Sequence, residues 1–371
     1  MQRALVISLL ATAVTLGCRQ TYAPPAVANP PHYVVVEGFI CNDGLDPTSF
    51  NLSQTTALSD TSVYTPITDA HVMIEDSTGG VYPLSQGQNG TYYYPPFTFT
   101  NQTKYRLHFY TGTKEEYASD YFPLVANPPI DSINWVRRFN APYEGVTIYA
   151  NTHDPQNNTH YYRWSCEETW EFHVKYNATI FWDGNGVQPF LNTKYYCWKS
   201  DNSHGIVLAS SDRLSSDIIY EAPIIQIPLN SQKLQIKYSV LVKQYAITKE
   251  AFDWWGILQK NTEQIGSIFG VQPSANKGNI HCISDTTLQA IGFVGGGNIR
   301  QQRIFISNDE VQPWDYEDGC SDTKIGKGEI QFYINGGFLL YGTDGPAFKV
   351  SYDYCVDCTL TGTNIKPSFW Q

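Results

Sequence analysis

The hydrophobic pattern changes character twice along the chain. Apolar residues run almost unbroken from Ala4 to Leu16, after a single cation at Arg3. From about His32 onward they come instead in short alternating bursts separated by turn residues. YVVVEGFIC (Tyr33–Cys41) and FNLSQT (Phe50–Thr55) read as strands, and DAHVMIED (Asp69–Asp76) puts Ala70, Val72 and Ile74 on one face. STGG turns the chain into VYPLSQ, and NGT turns it into TYYYPPF. KYRLHFYTG then alternates Tyr105, Leu107 and Phe109 against Arg106, His108 and Tyr110. Short alternating strands at this spacing, up to Val125, predict an immunoglobulin-like β-sandwich over residues 32–125.

VANPPIDS, Val125–Ser132, reads as a linker because its two prolines interrupt pairing. A larger β-rich domain over 126–371 follows, opened by SINWVRR and GVTIYA. Its clearest strand spans Tyr161–Val174: Tyr162, Trp164, Cys166, Trp170, Phe172 and Val174 share one face, and Arg163, Ser165, Glu167, Thr169, Glu171 and His173 the other. Glu168 breaks the pattern as a carboxylate on the apolar face. DGNG (Asp183–Gly186) predicts a hairpin turn. One main helix is predicted near 248–265, with Thr248 as its cap, Phe252, Trp255, Leu258, Thr262 and Ile265 along one face, and Gly266 at its end. AIGFV, RIFIS, EIQFYI and FLLYG read as further strands. The expected fold class is mainly β.

The N-terminal run is too short for a membrane-spanning helix, which needs roughly 20 apolar residues. Followed by Gly17 and Cys18, it has the layout of a secretory signal, residues 1–18, that leaves an acylated cysteine as the first mature residue. Cys18 is therefore the expected lipidation site, and a secreted protein cut elsewhere is the alternative. The Pro- and Ala-rich residues 19–31 read as a semi-rigid tether. A formal net charge of −11 argues against nucleic acid and against electrostatic docking on anionic lipid, so the anchor itself is the expected hold on the membrane.

Candidate chemistry is sparse. Buried Glu168 needs a partner, and the expected one is a structural ion pair with Arg163, Arg300 or Arg303; a tuned acid or ligand contact is the alternative. CVDC (Cys355 to Cys358) lacks the second pair that a zinc site needs and ends a strand, where a thioredoxin-like pair would open a helix. A disulfide from Cys355 or Cys358 to Cys320 fits an exported protein better. GFVGGGN (Gly292–Asn298) lacks the Lys-Ser/Thr ending of a phosphate loop and reads as a flexible turn between two strands. DYEDG (Asp315–Gly319) falls short of a calcium loop. With 26 Tyr, 18 Phe and 9 Trp, aromatic residues such as Tyr92, Tyr93, Tyr94, Trp254 and Trp255 are candidates for a sugar or peptide platform, although most such rings serve packing. No metal, cofactor or catalytic residue is assigned.

Several segments together resemble one family: CRQTYAPP, VVVEGFI, THDPQNNTHYYRWSCEETWEF, AFDWWGILQKNTEQIGSIFGVQPSANKGNIHC, IGFVGGGNIRQQRIFI and the ending YCVDCTLTGTNIKPSFW. In this order they are similar to the domain-of-unknown-function 4249 lipoproteins of Bacteroidota, over nearly the whole mature chain. The resemblance implies an outer-membrane lipoprotein with an immunoglobulin-like N-terminal domain, encoded beside a TonB-dependent transporter and acting as its accessory. It carries over no catalytic residue, and Cys41, Cys166 and Cys282 lie outside its pattern. The expectation is thus a non-catalytic, ligand-binding lipoprotein of the outer membrane, facing the surface in preference to the periplasm, held by lipid on Cys18 and partnered by a TonB-dependent transporter. An adhesive or structural surface protein, and a glycan or peptide hydrolase, are the alternatives.

Overall fold

The structure is a computed structural model that describes residues 33–56, 65–140, 144–203, 205–263 and 278–371. Cys18, the 19–31 tether, Ile265 and Gly266 lie outside the described residues. The architecture is mainly β, in several sheets. In the first layer, Val34–Cys41 pairs antiparallel with Thr48–Gln54, which pairs in turn with Thr91–Tyr94. His71–Asp76, Lys104–Tyr110 and Glu116–Ser119 form a second antiparallel set. Phe122–Val125 links the two by changing partners midway: Phe122 and Pro123 lie against Tyr105 and Lys104, Leu124 and Val125 against Gly296 and Gly297. Alternation turns Val34, Val36, Phe50, Leu52, Val72, Ile74, Leu107 and Phe109 inward, so that both sets close over one core.

This layer extends beyond the 32–125 span. Ile280–Cys282 pairs with Glu116–Ser119, and Ala290–Ile291 and Gly295–Gly297 run parallel to Val34–Cys41. Ile280, Cys282 and Val294 belong to its core. GFVGGGN is accordingly not a flexible turn: its Gly295–Gly297 form a strand held between Val34–Cys41 and Phe122–Val125. The fit depends on missing side chains, because a Cβ on Gly296 would come within 2.6 Å of the Leu124 side chain and one on Gly297 within 2.2 Å of the Val125 carbonyl oxygen.

In the second layer, Ile130–Arg138, Gly145–His153 and Ile218–Pro228 form a three-stranded antiparallel sheet. A five-stranded sheet centred on Tyr161–His173 and Lys237–Ala246 faces it. Val146 and Ile148 from one sheet, and Tyr162, Trp164, Phe172, Val240 and Val242 from the other, share the enclosed core. The predicted linker between layers is a buried junction. Asn127 is 4 % exposed and donates to the carbonyls of Gln244 (2.6 Å) and Asn298 (2.9 Å), while its own carbonyl accepts from Arg300 Nε (3.1 Å). The Gln244 amide donates back to Asn127 Oδ1 and to the Pro128 carbonyl, each at 3.1 Å. Proline removes donors here, and side-chain amides supply the replacements that buried carbonyls require.

The helix spans Lys249–Glu263, with Thr248 Oγ1 accepting from the Ala251 amide at 3.3 Å. Its buried face is rotated from the expected one: Ala251 and Trp254 are buried, Phe252, Trp255 and Leu258 half-buried, and Thr262 exposed. The helix borders both layers, with Trp254 toward Phe293 of the first and Phe252 against Tyr161 of the second. No helix among the described residues is long and apolar enough to cross a membrane.

A third, smaller sheet orders Asp322–Ile325, Ala347–Tyr352 and Phe338–Asp344. EIQFYI, expected as a strand, is a helix over Ile330–Asn335. Ile330 and Ile334 recur one turn apart and pack in the same cluster as Leu340 and Val350, and Gly337, at φ +81°, ends the turn. Two disulfides fix the tail: Cys320 bonds to Cys355, and Cys358 to Cys197 across 161 positions. Cys41, Cys166 and Cys282 are buried free thiols.

Candidate functional site

Where the two layers meet, alternation leaves one polar strand face uncovered. Arg163 projects from that face of Tyr161–His173, directly across the ladder from Tyr245. Two strand pairs further on, Lys243 bonds Glu167 at 2.5 Å, which removes that lysine from the cleft's free charge. The helix brings Trp255 over Arg163 from the other side. The guanidinium carbon thus lies 4.5 Å from the Tyr245 ring centre and 4.5 Å from the Trp255 ring centre. Phe39 of the first layer stands edge-on to Tyr245 at 5.2 Å, and Trp254 packs against both Trp255 (4.9 Å) and Phe293 (6.1 Å). An aromatic chain with one cation inside it therefore bridges the layers.

Two adjoining clefts open on either side of this chain. The smaller, of about 360 Å³, runs past Tyr121, Thr248, Asn279 and Gly295; the larger, of about 870 Å³, past Glu37, Asp46, Lys243 and Ile299. Phe39, Arg163, Trp255 and Phe293 line both. Each volume falls within the ~300–1,000 Å³ of small-molecule sites. Burial among the rings lowers the Arg163 pKa, with the tyrosine and Glu37 acting in the opposite direction. Such a site can stack a flat or ring-shaped ligand and donate hydrogen bonds to it. Among the described residues, no group of three or more His, Cys, Asp and Glu could hold a metal ion.

The residues singled out in the sequence are dispersed. Trp254 and Trp255 line the larger cleft. Tyr92 is buried at 1 % exposure and donates its hydroxyl to the Ile67 carbonyl, Tyr94 packs with Tyr82, Phe97 and Phe99, and Tyr93 is solvent-facing. Glu168 faces the second-layer core, not the cleft. Its partners are Lys233 Nζ and the Tyr238 hydroxyl, both at 2.7 Å, and not Arg163, Arg300 or Arg303. Arg300 donates to Asn127, and Arg303 donates to Ser239 and stacks on Phe369. Asp318 of the acidic DYEDG segment is paired with Lys175 at 3.4 Å. Sequence reasoning missed Arg163 as a site residue; the available signal was its place on the polar face of the longest strand, opposite an aromatic residue.

A family model described as Domain of unknown function (DUF4249) matches residues 19–303, a span that contains the first layer, most of the second and every residue of the two clefts. No curated protein matches the chain.

Proposed function

Because the chain belongs to the domain-of-unknown-function 4249 family, we propose a role built on the cleft between its layers: capture of a small ligand, without chemical conversion, for a TonB-dependent transporter. The protein is an accessory lipoprotein held in the outer membrane by acylated Cys18, with its β body on the surface side. One observation carries this reading. Phe39, Arg163, Tyr245, Trp255 and Phe293, drawn from both layers and the helix, converge on adjoining clefts of ligand size. The Asn127–Gln244 node supports it by fixing one layer against the other, which keeps the cleft walls in register without ligand. The shape is then largely preformed, as a capture protein requires.

The test is growth and uptake at limiting nutrient. Removing the protein while retaining its transporter should slow uptake, and a Trp255→Ala form should restore it poorly. Normal uptake in both strains refutes the role. The anchor has its own test: a Cys18→Ser form should leave the membrane fraction and fail to take up a labelled fatty acid.

A further inference from the structure

Arg163 differs from the other arginines of the sheets. Arg106 pairs with Glu75 at 2.7 Å, and Arg137, Arg138, Arg300 and Arg303 each donate to a carbonyl or hydroxyl oxygen. The Arg163 side chain makes no hydrogen bond and no ion pair among the described residues, and it lies against two rings. Arg163 also lines both clefts.

A half-buried guanidinium loses part of its hydration, and stacking on rings replaces only some of that loss. What a guanidinium without a hydrogen-bond or ion-pair partner fits is a planar acceptor with two oxygens. The surrounding charge narrows the choice further. Glu37 and Asp46 border the larger cleft, Asp120 and Glu250 the smaller, and the formal net charge is −11. That field repels any anion, and a bare inorganic one gains nothing from Phe39, Trp255 and Phe293 to offset the repulsion. An organic acid that covers these rings with its own carbon skeleton gains from both parts of the site.

We propose that Arg163 recognises a carboxylate on the captured ligand, the rest of which packs on the Phe39, Trp255 and Phe293 walls. The assignment rests on the cleft being the ligand site. A sugar acid and the C-terminus of a short peptide both supply the group, and the test separates them.

Tryptophan fluorescence and calorimetry on the full mature chain would compare trigalacturonic acid with its methyl ester, and an aromatic tripeptide acid with its amide. At least one free acid should bind about 10- to 100-fold more tightly than its neutralised counterpart. Arg163→Met should erase that margin, and Arg163→Lys, which keeps the charge without the fork, should keep only part of it. Which acid shows the margin identifies the carrier. If acids and neutral forms bind alike, or if neither acid binds, the carboxylate assignment is overturned. Because the wild-type comparison alone decides this, an unstable Arg163→Met protein does not spare the assignment. Binding of neutral forms would leave the capture role standing, and the uptake experiment judges that role separately.

Discussion

Glu168 gives the plainest account of what one side chain can disclose. Its misfit was visible from alternation alone, because a carboxylate sat where Trp164, Cys166, Trp170 and Phe172 required apolar neighbours. Its partner was not visible, because Lys233 lies 65 positions away on a short turn that only tertiary folding brings near. The pair is anchored by Tyr238, whose hydroxyl is kept protonated by burial and by the adjacent Glu168 carboxylate. Lys233→Met should cost about 3–5 kcal/mol, because it leaves a buried carboxylate without its cation. Denaturant titration would measure the loss, and Glu168→Gln, which removes the charge itself, should be milder. The free thiols Cys41 and Cys166 are both pushed up to about 12 by burial, which leaves them protonated and chemically quiet. Asp76 shows the opposite shift. Donation from the Thr78 hydroxyl and the Gly80 and Thr78 amides lowers its pKa from 3.8 to about 2. A depressed carboxylate adds stability above its unfolded value and loses it as pH falls through the folded one. Acid unfolding should therefore steepen between pH 3.8 and about 2, and Asp76→Asn should flatten that interval of the stability–pH curve.

At the scale of elements, alternation located the long strands and the capping threonine located the helix. Both signals are local: successive strand side chains face opposite ways, and a hydroxyl caps amides a few residues on. Three readings failed where the deciding contact was remote. The glycines of GFVGGGN looked loose because nothing in their neighbourhood revealed the two strands that enclose them. VANPPIDS looked like a linker because the amide that satisfies its Pro128 carbonyl comes from Gln244. EIQFYI mimicked alternation, but the Ile330 and Ile334 spacing matched a helix turn packed on the third sheet. Gly297→Ala tests the first of these corrections. The added methyl meets the Val125 backbone, which cannot swing aside as a side chain would. Destabilisation of about 1–3 kcal/mol is expected by thermal melting, whereas Gly184→Ala, in open space at φ +97°, should show only local turn strain. The cleft was half legible: Trp254 and Trp255 were marked as candidates, whereas Arg163 was read only as a partner for Glu168.

For the molecule as a whole, the β content could be read from patterning, and the path of the chain through the sheets could not. The first layer takes Ile280–Cys282, Ala290–Ile291 and Gly295–Gly297 from beyond most of the second, ahead of that layer's last strand. A fragment ending at Val125 lacks those strands and leaves Val36, Ile40 and Leu124 without part of their cover. Expressed alone, residues 32–125 should give no cooperative thermal transition, and a sharp one would show that the returning strands are dispensable. The long disulfide has a similar reach, since Cys197–Cys358 ties the tail to the edge of the five-stranded sheet.

The returning strands also impose an order of assembly. A polypeptide is delivered amino end first. The first layer's opening strand is here completed late, because it waits for glycines that emerge only after most of the second layer has been made. Until then its unpaired edge at Val34–Cys41 is open to any other extended chain. The newborn protein must therefore be shielded or kept dilute for most of its synthesis, and a stalled or truncated product should aggregate through that edge.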